Sequence, residues 1–383
     1  MIALKGGHIC DPEQGLDAVA DLYVRDGAVS AIMPPGSPAP AGEWTAYDCT
    51  GLLVVPGPID TLCHCNPRDE PWRESLADLA RAAARGGYTA LLAFTGSADP
   101  AALAALLGRD LPVRLHPVAA LTVGGRLADL GLLADAGAVA FSDWPEPVAD
   151  ARLMRSALEY AAGLGLPVIV RPEDPELGRG GVMHEGARSF GMGLRGIPAV
   201  AEAVAVARDA LLQQAFGGRL HFAAISAAAS IPLLGNATAS VTAHHLLLTE
   251  AAVAGYNTAA KLRPPLRTEQ DRAALLAAAR DGRLLLASGH HPSPPEEKDR
   301  EYDYASFGAE TIGSALAVAL EVLGPPAFVR ATASGPRAAF GLPAGTLSPG
   351  SPADVSVFAL GSPGAKPQAV FTLIAGKRTS LDA

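Results

Sequence analysis

Between residues 54 and 343 the chain alternates short apolar runs with longer amphipathic segments. The runs are Val55 to His64, Thr89 to Phe94, Val113 to Ala119, Ala138 to Ser142, Pro167 to Arg171, Leu220 to Ser226, Ala239 to Ala243 and Leu284 to Ser288. Their length and apolar character predict eight strands. Glu74 to Arg85, Asp150 to Ala162, Val200 to Gln214 and Gln270 to Asp281 carry apolar residues at helical spacing. Strand–helix alternation predicts a parallel sheet, and eight units fit an α/β (β/α)8 TIM barrel. Chemistry in such a barrel sits at the C-terminal strand ends, here near His64, Phe94, Asp143, Arg171, Ser226 and Gly289.

The flanks have a different texture. Leu22-Tyr23-Val24 passes through Arg25-Asp26-Gly27 into Ala28 to Ile32, and Asp-Gly between apolar runs is a hairpin signal. Ala353 to Phe358 and Val370 to Ile374 read as strands at the other end. Neither end has enough strands to cover its own face. The expected organisation is therefore one small composite β domain, residues 1–53 plus 344–383, beside a barrel over residues 54–343.

Composition narrows the class. Hydrophobic residues are 49% of the chain and aromatics 5%, so the core must rest on Ala, Leu and Val. The net charge of −9, without a basic cluster, argues against a nucleic-acid surface. Cys10, Cys49, Cys63 and Cys65 do not form a disulfide framework in so long a chain, which points to a reducing compartment. Met1 to Lys5 turns polar at once, unlike a signal peptide, and no apolar run reaches the ~20 residues of a membrane span. A cytoplasmic protein without membrane contact is expected.

The opening strand, Pro56-Gly57-Pro58-Ile59-Asp60-Thr61-Leu62-Cys63-His64-Cys65-Asn66, resembles the Pro-Gly-x-Ile-Asp-x-His-x-His-x-Arg sequence of the dihydroorotases, cyclic amidohydrolases. The resemblance continues in Gly137 to Asp143, Gly180 to Gly186, Met192 to Pro198, Val241 to Thr249, Pro264 to Glu269 and Pro295 to Lys298. It implies an amidohydrolase-type barrel. It also implies a zinc site built from the first-strand histidine pair, a bridging carboxylate, two later histidines and a late aspartate. Zinc needs about three protein ligands and an open position to activate water.

Laid on that pattern, the site is degenerate. Leu62 replaces a first-strand histidine, Arg171 the fifth-strand one and Ala224 the sixth-strand one, and Gly289 replaces the proton-accepting aspartate. The carboxylate clamp (Arg, Asn and His in the family) falls on Asn66, Gly96 and Ser293. Asp60, His64 and Asp143 remain as a residual family site, and His64 with Asp143 is a weak candidate for a single metal ion. In Cys63-His64-Cys65, strand alternation turns both cysteines away from His64. His244-His245 and His290-His291 read as structural pairs.

The resulting expectation is a catalytically inactive dihydroorotase homologue without a cofactor. The resemblance further implies an oligomeric assembly with aspartate carbamoyltransferase, in pyrimidine biosynthesis. The alternative is an active, divergent cyclic amidohydrolase that uses zinc; a third class is a small-molecule sensor using the vacated pocket. A buried Asp143 needs a compensating group. Arg171, on the adjacent strand, is expected to project into the former metal pocket and pair with it, His64 close by. The competing arrangement has Arg171 turned outward onto Glu173 or Asp174.

Overall fold

The structure, a computed structural model, describes residues 1–65, 72–343, 345–361 and 365–379. Eight parallel strands form the barrel in chain order: Ile59–His64, Ala90–Phe94, Arg114–Ala120, Ala140–Ser142, Pro167–Val170, Arg219–Phe222, Thr238–Thr242 and Leu285–Ala287. The eighth strand closes onto the first through side chains and loop backbone. Thr61 Oγ1 donates to the Leu286 carbonyl at 3.0 Å, and the His64 amide donates to the His290 carbonyl at 3.0 Å.

Alternation along the strands, broken in the first by a register shift between Asp60 and Cys63, separates two apolar layers. Ile59, Leu62, Ala90, Leu92, Phe94 and Ile169 fill the barrel interior. Leu91, Ala93, Val168 and Val170 face outward, in the layer that holds the helices. The helix Leu76–Gly86 shows how the sequence sets these elements. Ser75 caps it by accepting from the Asp78 amide, Leu79, Ala80, Ala83 and Ala84 form its buried stripe, and Gly87 at φ 96° ends it. A Cβ on Gly87 would come within 2.7 Å of the Phe358 ring, so this close approach requires glycine.

The sheet beside the barrel draws on both chain ends. Its order is Lys377–Thr379, Gln368–Ile374, Val355–Ala359, Leu52–Pro56, Ile2–Asp11, Leu16–Arg25 and Ala28–Met33, with Thr45–Asp48 also pairing Ile2–Asp11. Asp26 and Gly27 turn the expected hairpin with positive φ at both residues. Ala344 and residues 362–364 and 380–383 of the expected composite domain lie outside the described residues.

One expected element is corrected. Val55 to His64 is not a single strand: Leu52–Pro56 pairs antiparallel with Val355–Ala359 in the small sheet, and the barrel begins at Ile59. Gly57 is the break. Its amide donates to the Asp354 carbonyl at 2.8 Å, and a Cβ there would meet Thr89 Oγ1 at 2.2 Å. Among the described residues, no helix is long and apolar enough to cross a membrane.

Candidate functional site

The C-terminal strand ends surround a cavity of about 300 Å³, lined by residues that include Leu62, Trp144, Arg171, Ala224, Thr242, His244, Leu262, Arg263, Gly289 and Phe307. Every substituted position named above from the metal set therefore faces this mouth. What they offer is a methyl group at Ala224, a branched alkyl at Leu62, no side chain at Gly289 and a guanidinium at Arg171.

Arg171 does not pair with Asp143. Its Nη1 donates to Glu173 Oε2 at 2.7 Å, with Arg171 and Glu173 each only 5% exposed. Glu173 also accepts from Arg263, through Nε at 3.1 Å and through Nη2. The partner is thus the loop acid of the competing expectation, but the pair is buried at the mouth rather than turned outward. Burial draws the Arg171 guanidinium down to about 10 against the pull of Glu173, which leaves it cationic at neutral pH.

Asp143 is satisfied elsewhere. Its Oδ1 accepts from the amides of Leu121 at 3.0 Å and Thr122 at 2.8 Å, and its Oδ2 accepts from Thr122 Oγ1 at 2.8 Å. These donors answer the carboxylate without a cation, which is why Arg171 is not drawn to it. Asp143 lines a separate recess with Gly96 and Thr122. His64 stacks on His291 with ring centroids 4.4 Å apart.

Asp60 joins the first strand to the eighth. It accepts from the Ser288 amide at 2.7 Å, Ser288 Oγ at 2.5 Å and the Leu62 amide at 3.3 Å. Burial raises its carboxyl to about 6 despite these donors. His290 is committed at both nitrogens: Nε2 meets Glu74 Oε2 at 2.8 Å, and Nδ1 accepts from the Thr311 amide at 3.1 Å. His245 contacts Thr242 Oγ1 at 2.6 Å and the Pro264 carbonyl at 3.2 Å, and burial pushes it down to about 4. His244 is driven well below the usual histidine range by the same cause.

Cys63 and Cys65 pack in the outer apolar layer with Leu79 and Ala83, and burial raises both thiols, Cys65 to about 12. Ser293 Oγ accepts from Arg73 Nη1 at 3.1 Å, and Arg73 Nη2 lies 3.0 Å from Glu297. Asn66 lies outside the described residues. Arg73, Arg263 and Phe307 are mouth residues that the sequence pattern did not single out. The basic residues of Lys261-Leu262-Arg263, just before Pro264-Pro265, were the available signal, but spacing alone does not carry them to the mouth.

A family model described as Dihydro-orotase-like matches residues 51–230. The dihydroorotase of Pelotomaculum thermopropionicum is 40% identical, over 93% of this chain and 88% of its own. The dihydroorotase of Geobacter metallireducens is 36% identical, over 99% of this chain and 93% of its own. The chain belongs to the dihydroorotase family. An L-hydantoinase (dihydropyrimidinase) from Arthrobacter aurescens shares the fold, with a TM-score of 0.85 at 20% identity over 99% of this chain and 96% of that one.

The family resemblance implies a zinc site, which can be set against the donors that this chain brings. Among the described residues, no three His, Cys, Asp or Glu side chains converge so as to hold a metal ion. A buried guanidinium lines the cavity, and Asp143 spends its carboxylate on the Leu121 and Thr122 amides and the Thr122 hydroxyl outside it. This donor set does not fit zinc.

Proposed function

We propose that this protein is a catalytically inactive member of the dihydroorotase family, without a resident metal, that serves as an assembly partner of aspartate carbamoyltransferase in pyrimidine biosynthesis. The observation that carries the inactivity is Arg171. It puts a fixed positive charge at the cavity, where the family resemblance expects a metal-binding histidine, and Glu173 holds it there. A guanidinium repels a dication and cannot serve as its ligand. Gly289, at the proton-acceptor position, has no side chain to take a proton. The partnership is supported by the family resemblance alone.

A second reading is favoured by a specific observation. Relatives about 40% identical over most of the chain carry the name dihydroorotase, which supports an active, divergent cyclic amidohydrolase requiring zinc. Affinity purification of the tagged full chain from its own cells separates the two roles. Stoichiometric co-purification of the carbamoyltransferase is the expected result. Its absence at native expression removes the assembly role.

A further inference from the structure

The helix Ala199–Phe216 packs on the barrel through Val206, and the seam it turns to solvent carries no charge. On that seam Val200, Val204 and Leu211 are 52%, 44% and 65% exposed, followed by Gln214. The charged residues of the helix are committed elsewhere. Glu202 is buried and accepts from the Ser226 and Ala227 amides at 2.9 Å each. Asp209 is buried, and Arg208 donates to it at 2.7 Å and to the Ala149 carbonyl at 2.8 Å. Other helices on the barrel differ: Ala151–Leu164 exposes Arg152, Arg155 and Glu159, and Leu76–Gly86 exposes Asp78, Arg81 and Arg85. A surface helix ordinarily keeps charged or polar residues opposite the core, and one that is apolar all round is a buried helix.

Val200, Val204, Ala207, Leu211 and Gln214 follow one another at intervals of four, three, four and three residues, the spacing of a coiled-coil seam. A groove of about 340 Å³ lies along it, lined by Ala207, Ala210, Leu211 and Gln214 together with Leu233. Those four helix positions are the set that forms the hole for an incoming knob. Val200, Ala203, Val204 and Ala207 make the same set one heptad earlier. The two holes share Ala207, and a bulky knob stands on each side of it, Val204 or Leu211. The face is therefore complementary to itself when a second helix runs antiparallel and crosses at Ala207. The second copy's Val204 then enters the groove beside Leu211, and its Leu211 enters the earlier hole.

A two-fold axis sets the residues near it against their own copies, so self-pairing calls for a small, uncharged residue there, as Ala207 is. A chain of net charge −9 meets its own copy at least cost across an uncharged seam. We propose that the helix Ala199–Phe216 is the core of a two-fold interface between copies of this chain, with the two helices antiparallel and Ala207 at the axis. Antiparallel packing also opposes the two helix dipoles. Because barrel helices run against the barrel strands, the two mouths point in opposite directions. The proposal uses no residue of the mouth and stands apart from the reading of its chemistry.

Sedimentation of the unmodified full chain at micromolar concentration is expected to give a dimer. Leu211→Glu sets a carboxylate into each half of the seam and should weaken the dimer at least about tenfold. Leu211 is exposed in the single chain, so the variant is expected to keep its circular dichroism spectrum. Oxidation of cysteine variants reads the axis. A disulfide needs Cα atoms within about 7 Å, which a residue at the axis offers to its own copy. Val200 lies about 10 Å along the helix from Ala207, so its two copies stand about 21 Å apart. A disulfide-linked dimer is expected from Ala207→Cys, and none from Val200→Cys or from the unmodified chain, whose four cysteines are buried. A monomeric unmodified chain, a dimer indifferent to Leu211→Glu, or no linked dimer from Ala207→Cys overturns the proposal. A linked dimer from Val200→Cys means parallel helices in register and overturns the arrangement. A chain monomeric alone, whose co-purification with the carbamoyltransferase is abolished by Leu211→Glu, gives the face to that partner and overturns the self-pairing.

Discussion

Glu173 accepts from Arg171 Nη1 at 2.7 Å where both side chains are buried, and the same carboxylate is clasped by Arg263. The ion cluster is thus asymmetric: one acid serves two cations. Removing the acid strands Arg171 in the interior, whereas removing Arg171 leaves Glu173 with Arg263. Glu173→Ala should therefore destabilise the fold by roughly 3–5 kcal/mol and Arg171→Ala by roughly 1–3 kcal/mol. Denaturant unfolding of the two variants checks the order; equal losses, or a larger loss for Arg171→Ala, contradict it.

Asp60 gives a pH signature of its own. Its folded carboxyl is raised to about 6, above the ordinary aspartate value of ~3.9. Between these values the folded chain holds a proton that the unfolded chain releases, so stability falls as pH rises through that window. The contribution is complete below about pH 4 and lost above about pH 6, amounting to roughly 3 kcal/mol at most. Asp60→Asn cannot ionise, so the stability of the variant relative to the parent should climb between pH 4 and 6. A difference that stays flat across this range shows that Asp60 titrates normally.

Single repairs of the site should fail. Leu62→His restores one ligand type beside a guanidinium, and groups that act as a unit do not return activity one at a time. Gly289→Asp meets a further obstacle. Gly289 sits at φ +64°, and a Cβ there would come within 2.7 Å of Thr242 Cγ2 and 3.1 Å of His244 Cε1. The variant should lose roughly 1–3 kcal/mol from backbone and overlap together. Dihydroorotate hydrolysis by either single variant contradicts this account of the mouth.

Much of the barrel was legible because strand and helix periods are local properties. All eight apolar runs mark barrel strands, and the helix stripes fall where the spacing puts them. The split at Gly57 was not legible, since it depends on the close approach of Thr89 and Asp354 from other elements. The residue types at Leu62, Arg171, Ala224 and Gly289 were readable, and all four line the mouth. The partner of Arg171 was not. It turns on two non-local facts: amides from residues 121 and 122 fill Asp143, and Arg263 arrives from another segment to share Glu173.

The central claim is that this member of the dihydroorotase family has lost its hydrolytic chemistry. The most direct measurement is dihydroorotate turnover by the purified full chain, made in a host lacking its own dihydroorotase, as zinc is titrated in. The account predicts a rate equal to the buffer blank at every zinc concentration. Turnover that rises with zinc and saturates at a fixed stoichiometry per chain would contradict it.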